Sequence, residues 1–160
     1  MPITYEPIAT NTLTATASTI TFTSIPQTYT DLMLVVVGTH TGSGLAGLRI
    51  SSVNGDGGTN YSDTLLQGSG SAASSARNTN DTSMNIGLIS SSQSNSIFHI
   101  MNYSNTTTYK TFLGRGNDPS SFVRQGVGLW RNTAAITSFS VSGVTFSTGV
   151  TATLYGIKAA

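Results

Sequence analysis

Apolar residues in this chain recur mainly at every second position. In Ala17 to Ile25, Ile20 and Phe22 alternate with Thr19, Thr21 and Thr23, the pattern of an extended segment buried on one face and wet on the other. Met84, Ile86 and Leu88 alternate likewise, as do Leu48 and Ile50 within Leu48 to Val53. Ile97 to Leu113 holds two such arms around the polar patch Ser104-Asn105-Thr106-Thr107-Thr108. Ile97, His99, Met101 and Tyr103 share one face of the first arm; Tyr109, Thr111 and Leu113 share one face of the second. Two period-two arms flanking a short polar loop predict a β-hairpin. The densest apolar run, Leu32 to Val37 (LMLVVV), fills both faces and predicts a strand covered on both sides. It is short for a helix, and Val is a poor helix former.

The remaining segments fit the same scheme. Thr4 to Ile8 contains Pro7, which lacks an N–H and belongs at a sheet edge or a subunit boundary. Asn-Gly-Asp-Gly-Gly at 54–58 is a turn signal, because Asn and Gly tolerate positive φ. Tyr61 to Leu66 and Gly126 to Arg131 read as strands, the latter carrying the single Trp. Ile136 to Val141, Val144 to Phe146 and Val150 to Ile157 close the chain as strands. Gly38 to Gly47, Ser90 to Ser96 and Gly114 to Gln125 read as loops. Gln67 to Thr82 offers almost nothing to bury and reads as a long loop, inert or ordered by a partner. If a partner orders it, Arg77, Asn78, Asn80 and Asp81 supply the hydrogen bonds. About nine or ten short strands separated by turns predict one domain over 1–160, an all-β antiparallel sandwich that is jelly-roll-like.

Composition supports that class and narrows function. Only 8% of residues are charged, and Ser and Thr supply roughly 30% of the chain instead, which favours strands and turns over helices. The net charge of +1 comes from charges scattered singly. No basic stripe marks a nucleic-acid partner, and no apolar run approaches a membrane span. The absence of Cys excludes disulfides and cysteine-ligated metals and fits a reducing cytosol. The opening Met-Pro-Ile-Thr-Tyr-Glu lacks the charged and apolar regions of a signal peptide.

No cluster announces chemistry. There is no G-x-S-x-G elbow and no phosphate-binding Gly-Lys motif, and the six acids fall in separate segments. His99, mid-strand with Ile97 and Met101, reads as packed and hydrogen-bonded, and His40 as a solvated turn residue. Asp56 and Asp63 bracket a Gly turn without the spacing of a calcium loop, and a plain turn is the better reading. Trp130 beside Arg131, with Tyr103 and Tyr109, has two readings. It forms an aromatic binding surface, or it is a core residue followed by a polar turn at Arg131-Asn132-Thr133. The expectation is a non-enzyme without cofactor or metal.

Five segments carry a family resemblance: TSIPQTYTDLMLVV (23–36), NGDGGTNYS (54–62), NYSNTTTYKT (102–111), VGLWRNTAAITS (127–138) and TLYGIK (153–158). Across nearly the whole chain and in consistent order, they resemble a family of small tailed-bacteriophage structural proteins. Those segments are strand-and-turn signatures without a catalytic motif. The resemblance implies a virion component, assembled in the host bacterial cytoplasm. A compact chain without fibrous repeats resembles a capsid cement (decoration) protein, an oligomer, often a trimer, bound to the major capsid protein on the head exterior. The other station the resemblance implies is a tail-fibre or receptor-binding module that holds host glycans.

Overall fold

The computed structural model describes residues 4–119 and 121–158. Its first six strands are β1 (Tyr5–Thr12), β2 (Ile20–Phe22), β3 (Asp31–Gly38), β4 (Leu45–Ser51), β5 (Tyr61–Gly68) and β6 (Ala73–Asp81). Then come β7 (Ser83–Ser90), β8 (Ser94–Met101), β9 (Lys110–Asn117), β10 (Val123–Trp130), β11 (Phe139–Ser142) and β12 (Thr151–Ile157). Among the described residues, the helical element is one 3-10 turn at Val53–Gly55.

The strands form two antiparallel layers, as the alternation predicts. One sheet has eight strands in the order β1-β12-β3-β8-β9-β10-β5-β6, and the other has four, β2-β11-β4-β7. The order β1-β12-β3-β8 facing β2-β11-β4-β7 is jelly-roll-like, because β1, β3, β7 and β11 are each followed by a strand in the opposite layer. The pairs β5–β6 and β9–β10 extend the first sheet from that frame. Between the layers lies an apolar core that includes Leu34, Ile50, Phe98, Phe112, Phe139 and Leu154. Pro7 sits on edge strand β1, where the register slips between Pro7 and Ala9, consistent with its missing donor.

The predicted hairpin is β8–β9, with Met101 opposite Thr111 and Ile97 opposite Arg115. Its core face is formed by Phe98, Ile100 and Phe112, whereas Ile97 and His99 are half-buried and Met101 is exposed. Both faces of this strand are apolar, so alternation alone did not select the inner one. The same correction applies to LMLVVV. Leu32, Leu34 and Val36 are buried, but Met33 and Val35 are only half-buried and Val37 is exposed. Strand β3 is central within its sheet, but a second layer covers just one of its faces.

Gln67 to Thr82 is not a loop. Its ends belong to β5 and β6, which pair from Gly68 opposite Ala73 to Tyr61 opposite Asp81. Ser69 N donates to Ala72 O and closes the turn between them. A backbone ladder orders this segment where apolar burial does not. The segments read as the loops Gly114 to Gln125 and Ser90 to Ser96 likewise contribute residues to β9, β10, β7 and β8.

Glycines decide how closely the layers approach. On the inner face, Gly114 and Gly116 of β9 lie beside Gly126 and Gly128 of β10 and beneath β7. A Cβ on Gly114 would stand 2.2 Å from Ile86 O, and one on Gly128 would stand 2.7 Å from Met84 Sδ. Gly114→Ala should therefore destabilise the fold by about 1–3 kcal/mol, the usual cost of overpacking. Gly57→Ala, where nothing lies within 4 Å, should stay within about 0.5 kcal/mol of wild type. Chemical denaturation of both variants tests this, and equal midpoints would contradict it.

Candidate interaction surface

The Asn-Gly-Asp-Gly-Gly turn is the anchor of the strand carrying Trp130. Asn54 occupies positive φ, and its Oδ1 accepts from Thr137 N at 2.8 Å and Ser138 N at 3.2 Å. Two residues on, Asp56 Oδ2 accepts from Trp130 Nε1 at 2.7 Å and from Asn60 Nδ2 at 3.0 Å, while Oδ1 accepts from Gly58 N at 2.8 Å. Trp130 is buried. Its core reading holds, and its reading as a surface aromatic does not. Tyr103 is buried too, with its hydroxyl donating to Pro26 O. Only Tyr109 of that aromatic set is exposed.

Arg131 bridges two segments, its Nη2 donating to Thr59 O at 2.6 Å and Asn80 Oδ1 at 3.0 Å. The structure thus unites two of the sequence-predicted residues, Arg131 and Asn80, in an internal contact. Asn78 donates to Asp63 Oδ1 at 3.1 Å, and Asp81 lies 3.8 Å from Arg49. These three β6 side chains each make a contact within the fold. Arg77 is exposed, with one long 3.4 Å contact to Thr64 Oγ1.

Lys110 is fully buried, a position that its place in a polar-looking hairpin arm did not signal. Its Nζ donates to Thr108 O at 2.8 Å and Thr133 O at 2.9 Å, tying the two loops together. Burial pushes its ammonium below the usual lysine range. His40 is buried rather than solvated: its Nδ1 accepts from Gly42 N at 3.0 Å, and its Nε2 lies 3.0 Å from Gly44 O. That pair of contacts selects the neutral tautomer protonated at Nε2. His99 stands on the outer face opposite Met33 and Leu113, and makes no hydrogen bond among the described residues.

Strand β7 lies at the edge of the four-stranded sheet, yet side chains occupy five of its backbone groups. Asn85 N donates to Asp63 Oδ2, Leu88 N to Ser96 Oγ and Ser90 N to Ser94 Oγ. Ser96 Oγ also donates to Leu88 O at 2.6 Å, and Arg124 Nη1 donates to Gly87 O at 3.1 Å. Side chains of the larger sheet therefore seal this edge. Desolvation raises the Asp63 carboxyl pKa, as expected of a buried acid.

The outer face of the eight-stranded sheet is different in kind. Val37, Leu66, Met101, Val123 and Val127 are exposed on it, and Met33, Val35, Ile97, Leu113 and Leu129 are half-buried. Cross-strand register places Met33, His99, Leu113 and Val127 in one row, and Val35, Ile97, Arg115, Gln125 and Leu66 in the next. Alternation on β9 and β10 marks this face in the sequence, since Gly114, Gly116, Gly126 and Gly128 occupy the opposite one. Apolar side chains interleave there with His99, Arg115 and Gln125, which makes this face the candidate interaction surface. Among the described residues no group of His, Cys, Asp or Glu could hold a metal ion, and no helix is long and apolar enough to cross a membrane. No protein-family model, curated protein or solved structure matches this chain.

Asp56 supplies a pH test of the anchor. The Trp130 indole, then Asn60 and the Gly58 amide, hold its carboxyl below the usual range. A depressed carboxyl stabilises the fold above its unfolded pKa, about 4, and loses that contribution as pH falls through the folded value. Asp56→Ala should cost about 1–3 kcal/mol at pH 6, where it leaves Trp130 Nε1 without an acceptor. The gap between variant and wild type should narrow as the pH falls from about 5 to 2. Denaturant titrations across that range test this, and a gap independent of pH would contradict it.

Proposed function

We propose that this protein is a non-enzymatic structural component of a tailed-bacteriophage virion, acting as a capsid cement (decoration) protein. It binds the outside of the head as an oligomer, with three copies around a three-fold axis, and contacts the major capsid protein. The observation that carries this reading is the apolar outer face of the eight-stranded sheet, which includes Val37, Leu66, Met101, Val123 and Val127. A face of that character suits a protein that functions packed against neighbours. The sequence resemblance at 23–36, 54–62, 102–111, 127–138 and 153–158 supplies the virion context. Low charge density, 8% of residues, limits long-range repulsion when many copies share one particle.

The mechanism is linkage. A subunit that binds the assembled, expanded shell and not its dissociated form stabilises the shell by mass action, roughly 2.7 kcal/mol per site at a hundredfold excess over Kd. The tail-fibre reading takes second place, because its aromatic glycan platform would use Trp130 and Tyr103, and both are buried.

Heads lacking tails separate the two readings. A cement protein remains on such heads, and stripping it lowers the temperature or osmotic shock at which they burst. Absence from tailless heads, together with glycan binding by the isolated chain, would overturn the cement reading.

A further inference from the structure

At one end of the outer face, β8, β9, β10, β5 and β6 together line a groove of about 790 Å³. That volume lies within the ~300–1,000 Å³ typical of ligand sites. Leu66, Val123 and Ile97 provide its apolar surface, and Asn95, Asn117 and Gln125 provide amides. Arg115 stands among them, exposed, and makes no hydrogen bond or ion pair among the described residues. Every other Lys and Arg has a protein partner: Arg49 with Asp81, Lys158 with Glu6, and the remaining four with hydrogen-bond acceptors. The groove therefore pairs an apolar floor with the one Lys or Arg that has no such partner among the described residues.

The groove borders the free edge of β6. The other sheet edges are blunted or closed. Strand β1 carries Pro7 and a register slip, β2 spans three residues, and β7 is sealed by side chains. Strand β6 spans nine residues without Pro, and its register slip is confined to the end where Asn80 takes positive φ. An edge of this length presents unpaired backbone donors and acceptors to any strand laid beside it. Ala73 and Ser75 line the groove next to that edge and are small, so larger side chains of an added strand have room there.

We propose that the groove and the β6 edge together seat an extended acidic-apolar peptide segment of a partner protein. Its main chain pairs with β6. Beyond the stretch paired with β6, the segment crosses the groove floor over Leu66 and Val123, and an Asp or Glu there meets Arg115, three strands in from β6. Main-chain bonds supply affinity and alternate side chains supply specificity, as in other strand-addition complexes. The site belongs to the isolated chain, so it stands or falls separately from the virion assignment.

Selection of short linear peptides from a random displayed library against the full chain tests it. The expected binders alternate apolar and polar residues and carry Asp or Glu. Arg115→Glu should weaken them at least ~10-fold, and exchanging their acid for Lys should restore binding to that variant. Backbone amides of β6 should exchange more slowly in the complex, and Ser75→Pro should abolish binding. If Ser75→Pro does not fold, Leu66→Lys on the exposed floor replaces it. Enrichment without acidic residues, or affinity unchanged by Arg115→Glu, would overturn the proposal. So would a dimer of this chain, paired through β6, that excludes the peptides.

Discussion

Everything in this sandwich depends on how closely β7 is pressed against β9 and β10. That approach exists because four inner positions of β9 and β10 carry no Cβ: Gly114, Gly116, Gly126 and Gly128. Contact at backbone distance has a second effect. It brings β7, an edge strand with unpaired amides, within reach of Asp63, Ser94, Ser96 and Arg124, which occupy those amides and carbonyls. The glycines thus convert an exposed edge into a sealed seam. A buried backbone group left unpaired there would cost about 1–3 kcal/mol.

The seam also explains the asymmetry of the larger sheet. Around the inner glycines, Leu113, Arg115, Val127 and Leu129 point outside, while Phe112 and Trp130 fill the inner face at the other end of the two strands. With β5 and β6 added beyond β10, the sheet extends past its jelly-roll frame to a groove and an edge that no strand among the described residues covers. Packing inside and apolar exposure outside are two results of one alternation. The polar anchor at Asp56 works independently of it, fixing the Trp130 end of β10 to the turn before β5.

Much of this was legible in the sequence, for identifiable reasons. Period-two alternation located most strands, Pro7 marked an edge, and Asn54 to Gly58 marked a turn, because each rests on local chemistry. The inner face of β3 and β8 was not legible, since Met33 and Val35, or Ile97 and Met101, look as apolar as the residues that are buried. Strand β6 leaves no hydrophobic trace in the sequence, because a ladder to β5 orders it. Among the candidate site residues, Asn78, Asn80, Asp81 and Arg131 proved to be spent on internal bonds, and Trp130 on the core. Gly-Arg-Gly at 114–116 places Arg115 on the face that its glycine neighbours leave, a signal of position alone.

The central claim is that the outer face of the eight-stranded sheet is the surface covered on the particle. The chain has no cysteine, so a single introduced thiol reports its own surroundings. Maleimide labelling of Val127→Cys, with the exposed loop variant Ser43→Cys as reference, should be measured in the free protein and on intact heads. The account predicts that Val127→Cys labels readily when free and is protected on heads, while Ser43→Cys changes less. Equal labelling of Val127→Cys in both states would contradict it.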